Sequence, residues 1–277
     1  MRKDLNKKTT RAFIYSIFVI LFAAVNIGYS LYNEMLKYQV KKSDVIPYTD
    51  YDFSNLKGKE ILSYEDDKYY SMFGIDVSAH QDKIDWQKVK EAGVEFAYIR
   101  LGYRGAEKGI LKPDEEFERN YEEARKQGIK VGIYWYSQPL QSNEAIEEAR
   151  HVLRVLNGRH LDLPIVYDLE ETYLEDRPSR IAHLDPYQRT ICAKDFMKVI
   201  NNESDYSTMI YTNLYWAENY YNWYMLQGVD IWYAQYSSYP QFNQPIKMWQ
   251  YSETGHIDGI DGYVDLDIMF IQKSDQN

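Results

Sequence analysis

The stretch PIVYDLEE, residues 164–171, runs from an apolar segment directly into acids. A proline followed by β-branched and aromatic residues reads as a short buried strand. Side chains alternate faces along a strand, so Asp168 and Glu170 share one face while Tyr167 and Leu169 share the other. Burying a carboxylate is costly unless it is paired. Two such groups on one face therefore call for a chemical reason.

The pattern recurs at both ends of the chain. In GIDVSAHQ, Asp76, Ser78 and His80 fall on one face, and in GYVDLDIMF, Asp265 and Asp267 do so. Eight strand-like runs are found after Phe73: FGIDVS, FAYIRLG, KVGIYWYS, LPIVYDLE, STMIYTN, DIWYAQY, IKMWQYS and YVDLDIMFI. Amphipathic stretches separate several of them. In residues 114–128, Phe117, Tyr121 and Ala124 recur at helical spacing and Gly128 supplies a stop. In residues 142–158, Ala145, Ala149, Val152 and Leu156 form the apolar stripe and Ser142 is placed to cap. Strands alternating with helices predict an α/β fold with parallel strands, here a small, irregular (β/α) TIM-like barrel.

In a parallel barrel the C-terminal strand ends form one mouth, where active sites lie. Acids from the first, middle and last strands would meet there. Two residues of strand span roughly 6.6 Å, within the range of carboxyl separations used in glycoside hydrolysis. A neighbouring anion and burial both raise a carboxyl pKa, so one acid of a pair stays protonated while the other is charged. The same cluster suits Mg²⁺ or Ca²⁺, which take oxygen ligands, and metal-dependent phosphoester hydrolysis is the corresponding alternative. The histidines show no zinc spacing, and the one cysteine, Cys192, excludes an internal disulfide.

Composition narrows the partners. The chain of 277 residues carries a formal charge of −10, and residues 73–277 hold 21 Lys and Arg against 33 Asp and Glu. Such a domain repels a phosphate backbone, which argues against nucleic acid. The 28 tyrosines and six tryptophans suit packing against sugar rings as well as strand cores. Residues 12–32 are 21 in number and carry no charge, enough to cross a bilayer once. Basic residues dominate positions 1–11, which predicts a cytoplasmic tail and an extracytoplasmic body. The run exceeds a signal-peptide core and no A-x-A site follows, so an uncleaved signal anchor is expected rather than a secreted form. Residues 33–72 show no sustained period and read as a stalk, leaving 73–277 as the globular domain.

The strings GIDVSAHQDKIDWQKVKEAGVEFAYIRLGYRG, FERNYEEARKQGIKVGIYWYSQP, PIVYDLEE and MWQYSETGHIDGIDGYVDLDIM, in that order, are similar to the glycoside hydrolase family 25 lysozymes, the Chalaropsis-type N-acetylmuramidases. The resemblance runs from about Phe73 to Gln272. It implies cleavage of the β-1,4 bond between N-acetylmuramic acid and N-acetylglucosamine in peptidoglycan, without a metal or organic cofactor. It implies Glu170 as general acid and Asp168 as the group that orients or stabilises the reacting sugar. Asp76 and Asp265 match the remaining acidic positions, and Asp267 falls where the family often has Asn. Tyr103, Tyr134, Tyr136, Trp232 and Trp249 are the candidate sugar platforms. The wall-binding repeats of many members are not visible, and the apolar segment with its stalk predicts a tethered enzyme of wall remodelling. A non-catalytic glycan-binding or scaffold protein of a membrane assembly is the alternative from another class.

Overall fold

A computed structural model describes residues 51–174 and 177–273. The predicted cytoplasmic tail, the apolar segment 12–32 and residues 33–50 lie outside the described residues. Among the described residues, no helix is long and apolar enough to cross a membrane.

Eight strands close into a barrel. They are β1 (Tyr69–Val77), β2 (Phe96–Arg104), β4 (Lys130–Tyr136), β5 (Ile165–Asp168), β8 (Thr208–Asn213), β9 (Asp230–Ala234), β10 (Met248–Gly255) and β11 (Val264–Gln272), and all eight correspond to the runs expected from the sequence. The order around the barrel is β1-β11-β10-β9-β8-β5-β4-β2, closed by pairing of β2 with β1. Three short strands lie off the barrel: β3 (Leu111–Pro113) pairs antiparallel with β2, and β6 (Tyr173–Leu174) pairs with β7 (Arg177–Pro178). Helices α1 (Trp86–Glu91), α2 (Phe117–Lys126), α3 (Ser142–Leu156), α4 (Pro186–Glu203) and α5 (Leu214–Asn219), with 3-10 turns at Phe53–Asn55, Ala79–Gln81 and Trp223–Leu226, complete the described elements.

Helix boundaries follow local chemistry. Asp185 and Gln188 form a reciprocal capping box and Pro186 occupies the first turn of α4. Gly128, at φ +71°, turns the chain out of α2 towards β4. Ala145, Ala149, Val152 and Leu156 of α3 are buried, as their spacing requires. Ser142 is the first residue of that helix rather than its cap, and its hydroxyl donates to Asp195 at 2.5 Å.

One strand departs from the parallel arrangement. β11 runs antiparallel to both β1 and β10, whereas the other barrel pairings are parallel. The beginning of β11 therefore lies beside the ends of its neighbours, and Asp265 is in register with Asp76. Without that reversal Asp265 would sit at the opposite face of the barrel.

Alternation divides the core in two. Met72, Phe96, Tyr98, Val166, Met209, Trp232, Met248 and Met269 fill the barrel, and the larger apolar cluster packs outside it beneath the helices. Among the described residues, no helix covers β10 and β11 in the manner of α2 or α3. Their outer face is closed by residues 51–69, which corrects the reading of a stalk over its described part, residues 51–72. Tyr51 stacks on Phe270 with ring centroids 4.1 Å apart, and its hydroxyl donates to the Ile246 carbonyl at 2.8 Å. Phe53 meets Trp249, and Tyr64 meets Phe270 edge-on. Tyr251 binds this segment at two points, accepting from Leu62 N and donating to Glu60 O. The segment shows no sequence period because single bridges, such as Lys57 with Ser63, one 3-10 turn, side chain to main chain bonds and aromatic contacts hold it, not an extended helix or strand.

A chain beginning at residue 69, where β1 starts, is accordingly expected to melt roughly 10 °C or more below one beginning at residue 51, since the buried Tyr64 and the half-buried Tyr51 and Phe53 are lost. Circular dichroism melts of the two chains measure the difference. Equal midpoints would show that the segment contributes nothing to the fold.

Candidate active site

The barrel mouth holds a cleft of about 320 Å³ lined by acids and tyrosines. Asp76 ends β1, Asp168 ends β5, Glu170 follows two residues later, and Asp265 opens β11; all four line the cleft. Arg100, Tyr134, Tyr136, Tyr211, Trp232, Tyr236, Gln250 and Glu253 complete its wall. The acids taken from strand ends in the sequence are thus brought together.

Two carboxyl pairs lie within hydrogen-bonding reach, Asp168 with Glu170 and Asp76 with Asp267. Two carboxylates cannot share such a bond, so each pair holds only while one member carries a proton. Burial pushes Asp168 well up, reinforced by the Glu170 and Asp76 charges. Burial lifts Glu170 to about 7, with Asp265 adding to the rise and the bond to Asp168 opposing it. Asp265 is raised to about 6 by burial and by Glu253. The Asp168–Glu170 pair therefore keeps a proton near neutrality. Glu170 is its more open member, whereas Asp168 is only 6% exposed.

Charge in the cleft is nearly all of one sign. Arg100 is the cation in its wall, and its Nε donates to Asp114 at 2.7 Å. The Arg100 charge opposes the rise at Asp168 without overcoming burial. Gln250 acts as a hub instead, donating to Asp76 at 2.7 Å and accepting from Tyr211 and Tyr236, each at 3.0 Å. Among the described residues, no group of three or more His, Cys, Asp or Glu is placed to hold a metal ion.

The candidate platforms divide. Tyr134 and Tyr136 line the cleft, and Trp232 lies at its floor, stacked on Tyr98 at 5.0 Å. Tyr103 pairs in register with Tyr136 and packs against Arg100 at 5.5 Å, outside the cleft wall itself. Trp249 has no exposed surface and faces outward, donating to Gln235 O at 2.8 Å. It cannot stack on a bound sugar without unfolding the covering segment. Asp267 also has no exposed surface and accepts from Trp232 Nε1 at 2.9 Å. It lies beneath the cleft and acts on Asp76, not on a ligand. His80 belongs to a short turn capped by Ser78 and is not part of the wall.

Arg100, Tyr211, Tyr236 and Glu253 were the residues missed, and sequence reasoning left open the role of Gln250. Its signal was present: in MWQYS, period-2 alternation puts Met248 and Gln250 on one face and Trp249 on the other.

The raised acids carry a stability signature. The folded state holds protons that the unfolded chain releases at ordinary carboxyl pKa values, so their contribution is full below about pH 4 and declines as pH rises. Melting temperature is expected to fall between about pH 5 and pH 7.5, the window set by the shift of Glu170 to about 7 and of Asp265 to about 6. Glu170→Gln should flatten that slope and add on the order of 2 kcal/mol at pH 7, allowing for solvent on its open side. Melts across this range test it, and an unchanged slope in the variant would contradict the assignment of the shift to Glu170.

Comparison with known proteins agrees with this geometry. The profile described as Glycosyl hydrolases family 25 matches residues 75–260. The chain is 30% identical over 200 residues to the autolytic lysozyme of Clostridium acetobutylicum, covering 71% of this chain and 55% of that protein. It is 29% identical over 206 residues to Lysozyme M1 of Streptomyces globisporus, covering 69% of this chain and 65% of that protein. A solved bacterial lysozyme from Streptomyces coelicolor superposes with a TM-score of 0.54 at 27% identity, over 71% of this chain and 90% of that one. The modular autolysin LytC from Streptococcus pneumoniae shares the fold, with a TM-score of 0.62 at 24% identity over 73% of this chain and 47% of that one. The chain thus spans about half the length of two of these longer relatives, 55% and 47%. With an eight-stranded barrel, an acid-lined mouth and a profile match over most of the barrel, the chain belongs to glycosyl hydrolase family 25.

Proposed function

We propose that this protein is a peptidoglycan muramidase that cleaves the β-1,4 bond between N-acetylmuramic acid and N-acetylglucosamine. The observation that carries this reading is the Asp168–Glu170 pair, which keeps a proton near neutral pH in an open cleft. Glu170, the more open member, delivers its proton to the glycosidic oxygen as the bond breaks. Asp168 lies too close to Glu170 to flank the opposite side of a sugar ring, so it orients the substrate from the same side, through the acetamido group. Asp76 and Asp265 raise the proton affinity of the cleft and stabilise positive charge developing on the sugar. Tyr134, Tyr136 and Trp232 supply walls and floor for sugar rings.

The uncharged run 12–32, with its basic flank, supports a single-pass membrane anchor with the barrel outside the cytoplasm. The folded body already includes Tyr51, so a stalk of the predicted kind would lie ahead of it. Tethering of this kind suits local remodelling of the wall. Finding the protein only in culture medium, with a new N-terminus after residue 30, would overturn the anchor.

The activity test is digestion of purified peptidoglycan by residues 51–277. New reducing ends at muramic acid are expected. Tight glycan binding without turnover would replace this reading with a non-catalytic binding role.

A further inference from the structure

Glu170 lies beyond the last residue of β5, so strand register alone does not fix its backbone. The ladder extends one step past Tyr136, where Ser137 N donates to Asp168 O at 2.7 Å. After that, side chains take over. The Glu170 carbonyl accepts from Gln138 Nε2 at 2.5 Å and from the Tyr136 hydroxyl at 3.4 Å. Gln138 is fully buried, and its side-chain oxygen has no partner. Turning the amide over would point that oxygen at the Glu170 carbonyl, so the donor orientation is the one electrostatics allows.

Gln138 is itself held from behind. Glu148, fully buried, accepts from Gln138 N at 3.4 Å and from the Ser137 hydroxyl. Arg104 Nε donates to the same carboxylate at 2.6 Å and its remaining nitrogens bind Gly109 O, Glu144 O and Glu147. A chain of buried polar bonds thus runs from Arg104 through Glu148 to Gln138 and ends on the main chain of Glu170. None of its members before Glu170 lines the cleft.

We propose that Gln138 is a positioning residue, which fixes the backbone of Glu170 beyond the strand end and thereby aims its carboxyl at the glycosidic oxygen. The proposal rests on the reading of Glu170 as proton donor. Proton transfer is steep in geometry, and a displacement near 1 Å costs up to about a hundredfold in rate. Substrate contacts made by the cleft walls do not pass through Gln138, so binding is left intact.

Gln138→Met keeps the volume and removes the donor. It is expected to lower kcat about 10- to 100-fold with KM changed less than about twofold. Gln138→Glu keeps the shape and supplies a donor only while protonated, with Glu148, Arg104, Glu170, Asp168 and Tyr136 as its charged or titratable surroundings. Its kcat should approach that of the unsubstituted protein at low pH and fall away from it as pH rises. Parallel losses in kcat and KM, or a Gln138→Glu profile that tracks the unsubstituted protein at every pH, would overturn the proposal. A third measurement is independent of turnover: the Glu170 carboxyl, followed by carbon NMR, should titrate at a different midpoint in Gln138→Met. If the unsubstituted protein releases no reducing ends, the muramidase reading fails. Gln138 is then judged on that titration alone, where an unmoved midpoint refutes positioning.

Discussion

Replacing Glu170 with glutamine is expected to lower the release of reducing ends from peptidoglycan by about 10²- to 10⁴-fold, the usual contribution of a general acid. The amide has the shape of the acid and keeps an oxygen at the Asp168 bond, but it has no proton to deliver. Glycan binding should persist, because the tyrosine walls and Trp232 are untouched. At the same time the variant should be more stable at neutral pH, since the protein no longer resists ionisation of a desolvated carboxyl raised to about 7. Loss of activity with gain of stability is the combined signature. A variant that is equally active would move the proton donor elsewhere in the cleft, and a variant that is inactive but destabilised would point to misfolding. The activity of the unsubstituted protein should also decline on the alkaline side of about pH 7, as Glu170 gives up its proton.

The second large effect concerns folding. Arg104→Leu is expected to destabilise the barrel by about 3–5 kcal/mol, because it leaves Glu148 buried without its counter-charge. Glu148 is fully buried and Arg104 is 3% exposed, so neither finds water in compensation. Even with Arg104 present, burial lifts Glu148 to about 7. Arg104 also ties the 105–110 loop to α3 through Gly109 O and Glu144 O, so more than one contact is lost. For a domain of this size the melting temperature should fall by roughly 10 °C. The double change Arg104→Leu with Glu148→Leu should recover part of the loss, because replacing both charges by apolar groups removes the uncompensated ion. No recovery in that cycle would mean that the packing around Arg104, rather than its charge, holds the loop.

Much of this site could be read from alternation. The D-x-E spacing at Asp168 and Glu170 and the acids at Asp76 and Asp265 mark four residues that line the cleft. The same rule, carried along MWQYS, puts Gln250 and Trp249 on opposite faces, and only the closed barrel shows that the Gln250 face is the cleft. The reversal of β11 was not legible, because a strand sequence carries no mark of its direction relative to its neighbours. It decides where Asp265 lies, and therefore whether an acid of the last strand reaches the mouth at all. The role of residues 51–69 was hidden for another reason. Tyr51, Phe53 and Tyr64 are spaced by neither helix nor strand, and their partners Phe270 and Trp249 are about 200 residues away in sequence. Gln138 shows the same limit at smaller scale, since its bond to Glu170 joins the ends of two adjacent strands that only the closed barrel brings together.

The reversed strand has an effect on how such a barrel is combined with other parts. Tyr51 is fastened beside Ile246, before β10 begins, and Lys273 N donates to Lys68 O, before β1 begins. Both positions lie on the base, while the acids open at the far end. A segment grafted ahead of Tyr51 or behind Lys273 therefore joins the barrel at its base. The barrel behaves as a cassette with its attachment points on one side and its chemistry on the other, so modules can be exchanged during evolution, or by design, with no change to the cleft.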